Sequence, residues 1–359
     1  MMSRQKMINY RQLLKSWLKS LLRRIDIFFV KICSKNRLTA VLYYAFKPAF
    51  GREQLAVLAG RAQHAAEQVA PDFSSAQLRR NIHRLEKALI MRPRKSLFAL
   101  DYIDETIHLY ERCHATPVFS GPELAWAHAV LSQYFSVVSH TEKIRQLAIR
   151  FEQLPLKGHV ITSCNAALTP YPAEDKVVAD ISPDSLHLLM RQRRSVRWFT
   201  ETPVPADVIA QAIEMASQAP SACNRQPFFV KISQDAAQAA SIAKLAMGTS
   251  GFADNIRCLC VIVGDQSCYE AERDRHVIYV DGGLFAMQLM LALETLGLSS
   301  CPINWPDIES LEVKMQRRLK LAVFHRPVML LAVGYADQTG GIPASVKKTS
   351  EQLLQTIED

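Results

Sequence analysis

The stretch RRSVRWFT at residues 193–200 places Arg193, Arg194, Ser195 and Arg197 directly before Trp198 and Phe199. Guanidinium forks beside a hydroxyl suit a phosphate, because they bring charge, paired hydrogen bonds and a donor at close range. The same residues suit the end of a helix, where arginines meet the last carbonyls and the negative end of the dipole. Alone, the stretch leaves both readings open. The segments on either side of it narrow the choice.

Upstream, Ser182–Pro183 has the form of an N-cap followed by proline at N1, opening a helix through Leu186, Leu189 and Met190 that runs into the arginines. Downstream, Pro205 starts a helix with Val208, Ile209, Ala212, Ile213 and Ala216 on one face, stopped by Pro220. PFFVKI (227–232), IRCLCVIVG (256–264) and VMLLAVGY (328–335) read as strands, the last two buried. Helices are expected at 235–247 and from Asp281 to Leu296, the latter closed by Gly297 as a C′ glycine, and Asp307 is expected to cap one more. This is an α+β pattern.

The region before it is different. Helical spacing is visible near 50–69, Ser75–Ile90, Asp101–Cys113, Pro122–Val138 and Glu142–Gln153, without repeats. Residues 168–184 hold three prolines and four acids, the composition of a linker or surface strap. The expected organisation is a basic amphipathic segment over 1–39, a helical domain over 40–167, a linker over 168–181 and an α+β domain over 182–359.

Charge is unevenly distributed. Residues 1–37 carry ten basic side chains and one acid, Asp26, so they account for the whole formal charge of +9. The rest sums to zero, which removes the compositional case for nucleic-acid binding. Within 8–30, Arg11, Lys15, Lys19 and Arg23 form a basic stripe opposite Leu14, Trp17, Leu18, Leu21, Leu22 and Ile25. Such a helix can lie on an anionic membrane, dock on a partner or pack on its own body. No secretory signal pattern is visible and the eight cysteines show no C-x-x-C pair, so free thiols and a cytoplasmic location are expected.

Three more constellations could carry chemistry. APSACNRQPFF (219–229) sets Ser221, Asn224 and Gln226 in a loop between prolines; such groups can read a flavin or pyrimidine edge, or bond to local backbone. GLSSCPINWP (297–306) places Cys301, Pro302, Ile303 and Asn304 in what reads as a constrained turn, with Cys301 a packed thiol in preference to a nucleophile. Lys347 and Lys348 follow the last strand and read as solvated lysines on a tail. Neither G-x-G-x-x-G after a strand nor G-x-x-x-x-G-K-[ST] occurs, so Rossmann and P-loop phosphate binding lack their signatures.

In this order, RRSVRWF, APSACNRQPF, a D-G-G helix, GLSSCPI, VGY and a basic tail resemble the nitroreductase family of FMN-dependent oxidoreductases. The resemblance covers 182–350. FGREQLAVLAG (50–60) and HRLEKALIMRPR (83–94) resemble the extra region of longer bacterial members found with exopolysaccharide genes. The resemblance implies a nitroreductase-like mixed sheet sandwiched by helices, preceded by the all-helical region, and a homodimer with FMN at its interface. It implies cofactor contacts from Arg193, Arg194, Ser195, Val196 and Arg197, from Ser221, Asn224 and Gln226, from Pro302, Ile303 and Asn304, and from Lys347 or Lys348. It implies no catalytic side chain and no metal, with NADH or NADPH giving hydride through the flavin to a small organic acceptor in ping-pong fashion. The alternative is a non-catalytic flavin-binding module in a polysaccharide-related or membrane-associated assembly. The stretch between Lys244 and Asn255 is shorter than the family's usual one.

Overall fold

The computed structural model describes residues 4–47, 49–67, 74–154 and 168–357, with only the backbone described over 4–12. Cys164, the end of the expected helical domain (155–167) and the side chains of Arg4, Lys6 and Arg11 lie outside the described residues. The chain forms two compact units, Met1–Leu55 and Ala56–Asp359.

In the first unit α1 (Arg4–Cys33) is followed by α2 (Arg37–Phe46), a helix the sequence reading did not anticipate. Asn36 caps α2 by accepting from the Thr39 amide, and Thr39 Oγ1 donates to the Cys33 carbonyl at 2.9 Å. Tyr43 Oη donates to Asp26 at 2.7 Å, and Lys47 pairs with the same carboxylate. The apolar face of α1 stays open: Leu14, Trp17, Leu18, Leu22 and Ile25 are all exposed.

α3 (Gly51–Glu67) leads into the second unit. There α4 (Ala76–Leu89), α5 (Ile103–Ala115), α6 (Gly121–Val137) and α7 (Glu142–Glu152) enclose a core of Leu78, Ile82, Ile107, Tyr110, Leu131 and Tyr134, each fully buried. Ser75, Ser120 and Thr141 cap α4, α6 and α7. Residues 168–181 are extended apart from one 3-10 turn at Ala173–Asp175.

α8 (Pro183–Gln192) begins as the sequence indicates, with Ser182 Oγ accepting from the Ser185 amide at 3.1 Å. It buries none of its residues. α9 (Ala206–Ala216) precedes β1 (Phe228–Ser233), and α10 (Ala236–Ala243) precedes β2 (Cys258–Asp265). α11 (Val277–Thr295) leads to β3 (Ser299–Asn304), and α12 (Glu309–Leu319) to β4 (His325–Gly334).

The strand order is β1-β2-β4-β3, every pair antiparallel. The expected mixed sheet is therefore antiparallel in its four strands; among the described residues its one parallel feature is the bridge between Ser195 and Ser300 at the outer edge of β3. Alternation along β2 divides the core. Leu259, Val261 and Val263 face one layer with Ile242 and Met315, while Cys258, Cys260 and Ile262 face the other with Ala212, Phe285 and Leu289. Helices thus cover both faces, with α9 and α11 on one and α10 and α12 on the other.

Three expectations change. The turn expected at 297–306 is mostly the edge strand β3. Gly297, at φ +77, closes α11 with Leu298 N–H donating to the Leu293 carbonyl, and the chain then extends. Pro302 is tolerated there because an edge strand need not donate every amide. α11 starts a turn before Asp281, at Val277. Asp307 does not cap α12; Ile308 holds that position and Asp307 pairs with the buried Arg326 at 2.7 Å. The stretch Glu272–Thr295, containing α11, is long and apolar enough to cross a bilayer, but half of its most apolar window is buried within the fold.

Candidate functional site

The residues singled out from the sequence fall into two groups. The first surrounds the start of β3. Val196 N–H donates to the Ser300 carbonyl at 3.1 Å, which lays the arginine stretch along the sheet edge, and Phe199 bridges to Ala336. Asn255 fixes the next residues, accepting from the Phe199 amide at 2.6 Å and donating back to its carbonyl at 3.2 Å. Trp198 and Phe199 act as packing groups: the Phe199 ring stands where Gly334 leaves no room for a Cβ, and Trp198 does the same at Gly340.

Within this corner Arg197 Nη1 donates to the Ser195 carbonyl at 3.3 Å, with its guanidinium 5.7 Å from the Phe252 ring. Arg194 is engaged otherwise, donating to the carbonyls of Pro343 and Ala344. That contact pins the C-terminal strap, so exposed Lys347 and Lys348 follow only three and four residues after a point fixed at this corner. Among the described residues three buried polar atoms of this corner have no hydrogen-bond partner, Arg193 Nε, Ser300 Oγ and Oε1 of Glu294, whose carboxylate also attracts Arg193. Cys301 is 1% exposed, and burial pushes its thiol up against the smaller opposing pull of Arg197, Ser195 and Arg193. It is packed in the core of the sheet. Ile303 is buried beside it and Asn304 is exposed at the strand end.

The second group is the loop before β1. Cys223, Asn224 and Gln226 have φ of +54, +52 and +51. Asparagine accepts this region readily; the other two are held there by their surroundings. Ser221 Oγ accepts from the Gln226 amide at 3.0 Å, and Asn224 Oδ1 from the Gln226 side chain at 3.3 Å. Asp281 of α11 accepts from the Ala222 amide at 2.9 Å. Arg79 of α4 donates to the Asn224 carbonyl at 2.8 Å and pairs with buried Glu123 of α6 at 3.1 Å. Sequence reasoning missed Arg79 and Glu123 as positioning residues. Their only signal was a charge pair on helices distant in sequence, indistinguishable there from surface ion pairs.

The two groups do not meet within one chain. Ser195 lies outside β3, the loop 221–226 leads into β1, and these are opposite edges, about 19 Å apart at ~4.8 Å per strand. The register also puts Ser300 level with the far end of β1, roughly 25 Å from Gln226 along the strands at ~3.3 Å per residue. The groups therefore occupy diagonal corners of the sheet.

A sequence model of the nitroreductase family matches residues 190–250 and 246–335. Residues 190–335 are thus nitroreductase-like in sequence. The match takes in the first group except the C-terminal lysines, and the whole of the second, while the helical region before it is unmatched. Among solved structures the chain is similar to a nitroreductase-like protein of Streptococcus mutans, at 23% identity over 49% of this chain and 100% of that one, with a TM-score of 0.43. It is similar to a nitroreductase family protein of Streptococcus pneumoniae at 22% identity over 48% and 100%, with a TM-score of 0.42. An FMN-dependent nitroreductase of Clostridium difficile shares 18% identity over 48% and 98%, with a TM-score of 0.41. No curated protein matches the chain.

Proposed function

We propose that the nitroreductase-like domain is an FMN-dependent oxidoreductase acting as a homodimer. The observation that carries this is the cationic corner at β3 inside the family-matched segment. Arg193 and Arg197 stand by Ser195, and Arg193 Nε and Ser300 Oγ are buried without partners. A phosphate-bearing group fits such a set, because unpaired buried donors are costly and an anion would engage them. Bound FMN would supply two-electron chemistry between NADH or NADPH and a small organic acceptor.

The chain's own residues would do the rest. Arg193, Ser195 and Arg197 would hold the phosphate end, with Lys347 or Lys348 brought to it by the strap that Arg194 pins. Arg194 and Val196 then act mainly through the backbone they fix. Pro302, Ile303 and Asn304 would border the ring along the β3 edge. Ser221, Asn224 and Gln226 of a second copy would complete the site, since one chain keeps them at the opposite corner.

An absorbance spectrum of the purified protein, with FMN added, tests the reading. Bound oxidised flavin and steady NAD(P)H oxidation with a quinone or nitroaromatic are the expected results. Arg197→Ala should weaken FMN retention at least tenfold while the far-UV circular dichroism is unchanged. Protein that stays colourless, or unchanged retention in Arg197→Ala, overturns it. Bound flavin without turnover on any acceptor would instead favour a flavin-binding module without catalysis.

A further inference from the structure

A pocket opens where the helical region before residue 190 meets the sheet, inside the second unit. A cavity of about 620 Å³ lies there, within the 300–1,000 Å³ range of ligand pockets. His64 of α3 and Gln77 of α4 line one side; Arg225, Phe228, Phe229 and Phe324 line the other.

Arg225 is the feature that asks for a ligand. It is 9% exposed, and its Nε is buried without a partner. Among the described residues no hydrogen bond or ion pair engages its guanidinium; it rests against the Tyr269 ring, 4.9 Å from the centroid. Asp281 attracts it from beyond ion-pair reach, and the neighbouring acids take their hydrogen bonds and ion pairs elsewhere. Glu123 is paired with Arg79, and Asp281 accepts from the Ala222 amide. Asp265, which also lines the cavity, accepts from the Ser267 amide at 2.8 Å and lies 3.6 Å from His325 Nε2. A buried cation without a partner costs several kcal/mol, and an anion beside it would offset that cost. His64 Nε2 and Gln77 Oε1 are likewise buried without partners in the same lining.

We propose that this cavity binds a small aromatic carboxylate, with the carboxylate on the Arg225 guanidinium and the ring among Phe228, Phe229 and Phe324. One guanidinium without a direct hydrogen-bond or ion-pair partner offers a positive charge and a planar fork, which matches a carboxylate. A phosphate dianion would call for more free cations than the cavity presents. Three phenylalanine side chains give a flat apolar group somewhere to lie. Because His64 and Gln77 precede residue 190, one wall of the site belongs to the helical region outside the family match. Gln226, assigned above to the flavin of a second copy, also lines this cavity, so the two sites adjoin at the loop 221–226, while Arg225 and the phenylalanines are used by the carboxylate alone.

Calorimetric titration of the full chain, with FMN added, tests it using benzoate, benzamide and inorganic phosphate. Saturable one-to-one binding of benzoate is expected, with benzamide at least tenfold weaker. Arg225→Gln should weaken benzoate at least tenfold. Arg225→Lys keeps the charge, loses the fork and should fall between, which covers failure of the glutamine variant to fold. Equal affinity for benzoate and benzamide, no saturable benzoate binding, or undiminished benzoate affinity in whichever variant folds would overturn the proposal. Phosphate binding tighter than benzoate and lost in the variant would overturn the carboxylate assignment in favour of a phosphate site. Flavin absorbance, read in the same samples, reports separately on the FMN site.

Discussion

Asp281 shows how one side chain ties loop geometry to pH. It is 3% exposed, and burial raises its pKa above the ordinary carboxylate value despite the Ala222 amide it accepts from. A group whose folded pKa is raised binds its proton more tightly in the folded state. Stability is therefore lost as pH rises from the ordinary carboxylate value through the raised one, and the loss persists at pH 7. Asp281→Asn retains an acceptor for the amide and removes the charge. Thermal melts should show the variant more stable than the parent at pH 7, with the gap closing below about pH 4. A gap that does not change with pH would mean that the carboxylate charge is not its cause.

At the scale of elements, α4, α6 and the loop 221–226 form one mechanical unit through Arg79. Glu123, at the start of α6, accepts from Ser74 Oγ and the Ser75 amide as well as pairing with Arg79. Removing Arg79 leaves a buried carboxylate without its cation and frees the Asn224 carbonyl. Arg79→Ala should cost about 3 kcal/mol in denaturant unfolding. Adding Glu123→Gln should recover part of that, because the stranded charge is gone. Strict additivity of the two substitutions would show that the pair is not coupled. The α3 contact is similarly close. A Cβ on Gly60 would come within 2.8 Å of Gln266 backbone, and His64 Nδ1 donates to the Ser267 carbonyl at 2.7 Å.

At the scale of the molecule, exposed apolar surface bears on the proposed homodimer. α8 shows Leu186, Leu188 and Met190 to solvent, and α11, which packs on it, shows Val280, Leu284 and Met287. Exposed apolar side chains on two packed helices suit the homodimer proposed above. Covering it with a second copy accords with two half-sites at opposite corners. Leu188→Asp combined with Val280→Asp should convert a dimer to a monomer in analytical ultracentrifugation and reduce FMN retention together. A monomeric parent protein with full flavin occupancy would contradict the shared site. The first unit makes a separate case. Lys15, Lys19 and Arg23 lie opposite the exposed apolar face of α1, a combination suited to an anionic bilayer. Co-sedimentation with phosphatidylserine vesicles should fall with added salt and disappear on deleting residues 1–37; binding that survives the deletion would assign it elsewhere.

Local chemistry settled much of this protein in advance. Ser182–Pro183 starts α8, Gly297 ends α11, and β-branched runs mark β2 and β4, because capping, positive φ and strand propensity act over a few residues. The order of RRSVRWF, APSACNRQPF and GLSSCPI carried the family resemblance in the same way. Register and partnership are long-range and were not legible. No local signal shows that β3 is an edge strand in place of a turn, that Asp307 answers Arg326 and leaves α12 uncapped, or that Arg79 and Glu123 brace a loop about a hundred residues or more away. The separation of the arginine corner from the 221–226 loop is likewise a property of strand order. Neither segment contains information about which sheet edge it will occupy; only the pairing of all four strands decides that.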